Sequence, residues 1–160
     1  YQRALRAGFD VAQSLKFAND RSRDNSRMPF PWKEEEHGGF TSGTPWLKCN
    51  DDYASICAEK QSQDKNSLLY YYRNLIQVRK DEANRECLIY GEVHEIENAV
   101  ESVIAFERIA ENGKKIQIWI NMSDEIQQAD IIEGELLCNN YSEFNRTSLQ
   151  PYQAAMVRCR

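Results

Sequence analysis

The chain has 160 residues, of which 41% are hydrophobic and 28% are charged, a balance typical of one globular domain or of a small domain with part of another. Its formal net charge of -5 argues against a general surface for nucleic acid or anionic membranes. The sequence contains no apolar run near the roughly 18 residues of a membrane helix. Its five cysteines show no C-x-x-C spacing. We therefore expect a cytoplasmic protein without a disulfide framework, a metal site or a cofactor.

The first residues predict two short helices. Residues 1–7 are strong helix formers and are followed by a glycine, a residue typical of a helix C-terminus. Asp10 precedes Gln13 by three positions, which resembles a capping box and predicts a second helix over 11–19. Because the sequence begins in the middle of a helical pattern, we expect it to be the later part of a longer protein.

A long irregular segment, residues 21–46, follows these helices. Loops of more than about a dozen residues are usually functional or disordered, and its aromatic residues argue against disorder. Its densest polar cluster comprises Arg21, Arg23, Asp24, Asn25 and Arg27. These arginines predict either salt bridges that pin the loop or recognition of a carboxylate, a phosphate or vicinal hydroxyls. The net negative charge of the chain argues against recognition of a phosphate.

The aromatic residues of this segment have two interpretations. The three are Trp32, Phe40 and Trp46. In the first interpretation, which we favour, these side chains are buried and anchor the loop. In the second, their exposed rings are platforms on which sugar rings stack. The neighbouring acidic run, 34–36, predicts a solvated rim. His37 and His94 lack a second ligand at metal spacing, and no catalytic motif stands in the sequence.

The clearest helix is predicted over 67–81, with Asp64 or Asn66 as its cap. One apolar face contains Leu68, Tyr71, Tyr72, Leu75 and Ile76. Beyond Glu86 the hydrophobic period changes from near four to two. The alternation of Leu88 and Tyr90 predicts a short strand before a glycine that we interpret as a bulge.

The last part of the chain predicts a small antiparallel sandwich. Alternation predicts strands over 102–109 and 115–122, and Asn112-Gly113 between them predicts a hairpin whose two central residues need positive φ. Three further strands are predicted over 129–132, 135–138 and 154–159. We place the domain boundary between 81 and 87.

One run of residues carries a specific resemblance. Arg23-Asp24-Asn25-Ser26-Arg27, followed by Pro29, Trp32, Gly39-Phe40-Thr41, Gly43, Pro45-Trp46 and Asn50, closely resembles the α-glucosidases of the α-amylase superfamily. These include oligo-1,6-glucosidases, glucan 1,6-α-glucosidases and trehalose-6-phosphate hydrolases. The likeness continues in order through Tyr53, Ile56, Glu59, Gln61, Asp64, Asn66-Ser67, Tyr71-Tyr72, Leu75-Ile76, Arg79-Lys80, Tyr90-Gly91, Leu149, Pro151-Tyr152 and Ala154.

The resemblance implies a fold. Residues 1–82 would be the C-terminal end of a catalytic (β/α)8 barrel, with 67–81 as its last large helix, and 86–160 would be a Greek-key antiparallel β-sandwich. The family cleaves α-glucosidic bonds with retention, using an aspartate, a glutamate and a second aspartate. All three lie upstream of anything that resembles this chain. We therefore assign no catalytic residue here and expect the chain alone to be inactive.

The resemblance also implies one contact with a substrate. Arg23 matches an arginine that binds the terminal glucose, and Asp24 and Arg27 would support that loop. The expected partners are a small oligosaccharide and the remainder of the barrel, with no nucleic acid and no membrane. Relatives usually read Arg-Thr-Pro-Met-Gln-Trp where this chain has 27–32 as Arg-Met-Pro-Phe-Pro-Trp, and Lys33 stands at a common aspartate. These departures leave substrate choice open.

Several functions therefore stay open. The first is hydrolysis of short α-1,6 or α-1,4 glucosides by the full-length protein. Alternatives in the same superfamily are trehalose-6-phosphate hydrolase, sucrose isomerase and transglucosidase. The alternatives from other classes are a non-catalytic carbohydrate- or protein-binding sandwich and the glucosidase-like heavy chain of amino-acid transporters.

Overall fold

The computed structural model describes residues 1–98 and 100–159, without the side chain of Asn25. Two compact units divide the chain, Tyr1–Ser67 and Leu68–Arg160. The first unit contains α1 (Gln2–Arg6), α2 (Val11–Arg21) and α3 (Ala58–Gln63), with 3-10 turns at Asp24–Ser26, Glu36–Gly39 and Asp51–Ala54. The second contains α4 (Leu68–Lys80), α5 (Glu82–Arg85), a π-helical turn (Glu86–Tyr90) and seven strands. No helix in the described part is both long and apolar enough to cross a membrane.

The two helices predicted at the start of the chain are confirmed. Asp10 caps α2, because its Oδ1 accepts a hydrogen bond of 2.8 Å from the Gln13 backbone N–H. This helix continues two residues beyond its predicted end at Asn19, since no breaker stands before Ser22.

The helix predicted over 67–81 is also confirmed, as α4. Its predicted apolar face divides in two within the second unit. Two of its members, Tyr71 and Leu75, line a cavity together with residues of the sheet, and Val78, which does not belong to the predicted face, packs against the core. The other members of the face, Leu68, Tyr72 and Ile76, are exposed.

The strand predicted around Leu88 and Tyr90 is wrong, because residues Glu86–Tyr90 form a π-helical turn after α5. The carbonyl groups of this turn have side-chain donors, so they need no partner strand. Arg108 Nε donates to the Cys87 carbonyl at 3.2 Å, and Arg79 donates to the Leu88 carbonyl. A β-carbon at Gly91 would lie 2.6 Å from the Cys87 carbonyl oxygen, so the turn closes only on a glycine.

The second unit is built on a five-stranded antiparallel sheet. Its strands, in spatial order, are β1 (Glu92–Glu95), β2 (Val103–Ile109), β3 (Lys115–Asn121), β7 (Ala154–Cys159) and β5 (Gly134–Asn139). Two short strands, β4 (Gln127–Gln128) and β6 (Ser148–Leu149), form a separate ladder. These assignments confirm the strands predicted over 102–109, 115–122, 135–138 and 154–159. The Greek-key form of the sandwich stays a prediction.

The strand predicted over 129–132 is wrong. Regular pairing stops after β4, and the next residues make isolated backbone hydrogen bonds, from Ala129 N to Thr147 O and from Ile131 N to Arg146 O, both at 3.0 Å. Ile131 is nevertheless buried. The segment therefore contributes an apolar side chain to the core without forming a strand.

The hairpin predicted at Asn112-Gly113 is confirmed, but its turn has another form. The connection is longer than two residues, with Ala110 N donating to Lys114 O and Gly113 N donating to Ala110 O, both at 2.9 Å. Gly113 has a φ of 81°, whereas Asn112 does not have a positive φ. Its Oδ1 instead accepts from Lys114 N at 3.0 Å. Of the two central residues predicted to need a positive φ, only Gly113 has one.

Two apolar clusters form the core of this unit. One comprises Val103, Ala105, Trp119, Ile131, Leu149 and Val157. The other comprises Cys87, Leu88, Ala110 and Ile116. The five cysteines are free thiols.

Candidate functional site

The candidate site begins where α2 ends, in a tight turn that positions Arg23. The Arg23 carbonyl oxygen accepts hydrogen bonds from Ser26 N at 3.2 Å and from Ser26 Oγ at 2.9 Å. Arg27 N donates to the Asp24 carbonyl at 2.9 Å, and Asp24 N donates to Ser22 Oγ at 3.3 Å. The resulting 3-10 turn reverses the chain directly after Arg23.

The charged side chains of this turn are exposed. These are Arg21, Arg23, Asp24 and Arg27. Among the described residues, none of them takes part in a salt bridge, so the predicted pinning of the loop by ion pairs is not observed there. The Arg23 guanidinium therefore presents its planar fork of donors to the solvent. Asp24 and Arg27 contribute to the turn through their backbones, and their supporting role as side chains stays a prediction.

The middle of the loop is held by the first turn of α3. Ala58 N donates to the Pro31 carbonyl and Glu59 N donates to the Trp32 carbonyl, both at 3.0 Å. The first N–H groups of a helix have no partner within it, so these two loop carbonyls satisfy donors that would otherwise need water. Lys60 Nζ adds an ion pair with Glu34 Oε2 at 2.6 Å.

A left-handed turn closes the loop on itself. His37 and Gly38 have φ values of 56° and 65°. The Gly38 carbonyl oxygen accepts from Trp32 N at 2.8 Å and from Lys33 N at 3.0 Å, while Gly38 N donates to Glu35 O at 2.8 Å. These bonds fix the backbone around Trp32 from both sides.

The aromatic side chains of the loop are exposed within this chain. Trp46 has 80% of its surface exposed, so the prediction that it anchors the loop by burial is wrong for the described chain. Trp32 and Phe40 are also more than half exposed. Phe30, which the sequence reasoning missed, packs edge to face on Trp32 with ring centroids 4.7 Å apart. The sequence signal for this contact was the position of Phe30, two residues before Trp32 in an extended run that contains prolines.

The acidic run 34–36 is exposed, as predicted for a solvated rim, and its side chains also make ion pairs. Glu34 pairs with Lys60, and Glu36 lies 3.7 Å from His37 Nε2. In the part of the chain that the structure describes, no group of three or more histidine, cysteine or carboxylate side chains is placed to hold a metal ion.

Comparison with known proteins identifies the family. The model of the alpha amylase catalytic domain matches residues 3–91. The chain is 30% identical over 98% of its length to an oligo-1,6-glucosidase from Bacillus cereus, and 32% identical over 92% to a trehalose-6-phosphate hydrolase from Escherichia coli K12. The crystal structure of an isomaltulose synthase from Klebsiella sp. LX3 covers 99% of the chain with a TM-score of 0.82 and 28% identity. The chain belongs to the alpha-amylase family, and its likeness to α-glucosidases is confirmed.

The chain spans only part of these relatives. It covers 29% of the Bacillus enzyme, 27% of the Escherichia enzyme and 30% of the Klebsiella synthase. The match supports a fold of the barrel-fragment type, as the resemblance implied, and the boundary placed between 81 and 87 stays a prediction.

Proposed function

We propose that this chain is the C-terminal portion of a cytoplasmic, retaining exo-α-glucosidase that hydrolyses short α-1,6 or α-1,4 glucosides. The observation that carries the proposal is the exposed Arg23 guanidinium on a hydrogen-bonded turn. It lies in a chain that aligns with an oligo-1,6-glucosidase over 98% of its length. Under this proposal the chain supplies a sugar contact, and the reacting carboxylates lie outside its 160 residues.

Arg23 would bind the terminal glucose through its planar guanidinium. Two parallel N–H donors can span a pair of neighbouring hydroxyl oxygens, which fixes the orientation of the ring as well as its position. The turn holds the Arg23 backbone by two hydrogen bonds from Ser26, so only the exposed side chain would remain to be ordered when the sugar binds. Asp24 and Arg27 would orient the loop around it.

The proposal divides this chain into residues 1–82, at the end of the barrel, and 86–160, a Greek-key sandwich. Exposed apolar side chains on α1 and α2 support this placement. Leu5, Val11 and Leu15 are exposed, and a helix of a globular protein normally buries such residues. The remainder of the barrel would cover them.

A substrate panel tests the proposed reaction. The complete protein that contains this chain would be assayed with isomaltose, maltose, sucrose and trehalose-6-phosphate, and the anomer released from p-nitrophenyl-α-glucoside would be followed by NMR. We expect hydrolysis of isomaltose, and α-glucose as the first sugar released from the p-nitrophenyl glucoside. Release of β-glucose, or no turnover of any of the four sugars, would contradict the proposal.

Two other reactions have support from named relatives. The match to a trehalose-6-phosphate hydrolase favours a phosphorylated disaccharide, and the structural match to an isomaltulose synthase favours an isomerase. In the same panel, preferred turnover of trehalose-6-phosphate would establish the first. Formation of an isomeric disaccharide from sucrose, with little free glucose, would establish the second.

A further inference from the structure

An open cavity of about 730 Å³ lies in the second unit, away from the candidate site in sequence. Residues 141–146 form one side, and Gln150 and Gln153, from the segment before β7, form the other. Pockets of roughly 300–1,000 Å³ are typical of small-ligand sites. The lining residues decide which ligand would fit.

Buried amides make the cavity wall rigid. Gln153 is only 1% exposed, and its Nε2 donates to Asn139 Oδ1 at 2.8 Å while its Oε1 accepts from Gln150 N at 2.8 Å. Asn139 Nδ2 in turn donates to the carbonyl oxygens of Tyr141 and Glu143, at 2.8 and 2.9 Å. The Gln153–Asn139 bond joins the two side chains, and the other bonds of each side chain hold backbone, which pre-organises the wall before any ligand arrives.

Hydrogen bonds also join the two sides of the cavity. Tyr141 donates its hydroxyl to the Pro151 carbonyl at 2.7 Å. Asn140 Nδ2 donates to the Tyr152 carbonyl at 2.9 Å, and Tyr152 has a φ of 54°, which is uncommon for a residue with a β-carbon. Such strained backbone persists where its surroundings fix it, and it is often found at binding sites.

Several polar groups at the cavity have no partner within the described residues. These are the Glu143 carboxylate, the Ser142 hydroxyl and the Gln150 side-chain amide. They stand beside the ring of Tyr141, which is 40% exposed. An aromatic face next to acceptors and donors suits a ligand with apolar C–H faces and hydroxyl edges.

The cavity carries one carboxylate without a partner in the described chain. Arg146 donates to the carbonyl oxygens of Ile132 and Gly134, at 2.5 and 2.7 Å, and its guanidinium lies 5.4 Å from the centre of the Phe144 ring. Two of its N–H groups are thus engaged, while the Glu143 carboxylate remains available. A phosphate or carboxylate would meet an unpaired negative charge there, whereas a sugar hydroxyl could donate to it.

We propose that this cavity is a non-catalytic binding site for a neutral oligosaccharide. The sugar ring would stack on Tyr141, and its hydroxyls would bond to Glu143 and Gln150. The proposal does not depend on Arg23, because none of the residues that line the cavity belongs to the loop.

Calorimetric titration of the 160-residue chain tests the site, with isomaltotriose and maltotriose as probes. The chain would carry Arg23→Ala so that the loop contributes no sugar contact. We expect millimolar affinity for at least one probe. Tyr141→Ala should weaken it by about tenfold or more, equivalent to about 1.4 kcal/mol. Tyr141→Phe should weaken binding less than Tyr141→Ala, since it keeps the ring and loses only the hydroxyl bond to Pro151. Tyr90→Ala, which removes an exposed tyrosine outside the cavity, should retain binding.

Glu143→Ala provides a second test, because this exposed side chain has no partner that folding would miss in the described chain. It should also weaken binding, with an unchanged melting temperature. Absence of heat with both probes, or equal affinity in the parent, Tyr141→Ala and Glu143→Ala chains, would overturn the proposal. Tighter binding of glucose 6-phosphate than of either neutral probe would overturn it as well.

Discussion

Gly38 lies so close to Cys49 that a β-carbon on the glycine would be 3.0 Å from Cys49 Sγ and 3.0 Å from Pro31 Cα. Gly38 also has a φ of 65°, which residues with a β-carbon rarely adopt. We predict that Gly38→Ala loosens the loop, because it adds a steric conflict to the backbone strain. The expected loss is about 2–3 kcal/mol in the free energy of unfolding of the first unit.

Gly8→Ala is the matched control for this prediction. Gly8 has a φ of 88°, but an added β-carbon there meets nothing within 4 Å. Gly8→Ala should therefore lower the free energy of unfolding only by the cost of the left-handed backbone, about 1 kcal/mol. Denaturant unfolding together with tryptic cleavage at Lys33 and Lys48 would measure both variants. Equal stability and equal cleavage rates in the two variants would show that the contact with Cys49 does not matter.

Gly134 makes the close approach of β5 to β7 possible. A β-carbon there would overlap the Arg158 carbonyl oxygen, which is backbone and cannot turn away. We predict that Gly134→Ala costs about 3 kcal/mol or more in the stability of the second unit. Gly113→Ala, at a φ of 81° in open space, should cost about 1 kcal/mol. Urea unfolding followed by circular dichroism measures both, and a smaller loss at Gly134 than at Gly113 would refute the prediction.

Burial between α4 and the sheet, and then the neighbouring Cys138 thiol and Tyr72, raise the pKa of Tyr71 from 10.0 to about 12. The unfolded chain releases this proton at lower pH than the folded chain does. Stability from this group is therefore complete below pH 10 and is lost as the pH rises toward 12. The unfolding midpoint in urea should fall between about pH 8 and about pH 11 more steeply in the natural chain than in Tyr71→Phe. Equal falls would contradict the assignment.

Regular elements with a strong period were predictable from the sequence. The helix Leu68–Lys80 and the strand Lys115–Asn121 both follow the apolar spacing typical of their type. The π-helical turn Glu86–Tyr90 was not predictable, because its carbonyls accept from Arg79, 9 residues before Leu88, and from Arg108, 21 residues after Cys87. Alternating apolar residues alone cannot distinguish that turn from a strand.

The candidate site was predictable only through the resemblance. The arginine cluster indicated recognition of some polar ligand, but neither charge nor spacing pointed to glucose. The hydrogen bonds that hold the loop run from α3 to Pro31 and Trp32, and no local pattern predicts them. The exposure of Trp46 depends on which other parts of the protein surround the loop, and the residues next to Trp46 in the sequence do not specify them.

The central claim is that Arg23 contacts the substrate sugar, and steady-state kinetics of the complete enzyme test it most directly. Arg23→Ala should lower kcat/KM for isomaltose by roughly 10- to 100-fold, the loss expected for a hydrogen bond from a charged group. Arg23→Lys should also lower it, because an ammonium lacks the planar fork. Arg21→Ala, which removes another exposed arginine at the end of α2, should change it by less than about twofold. An Arg23→Ala enzyme with unaltered kcat/KM would contradict the account.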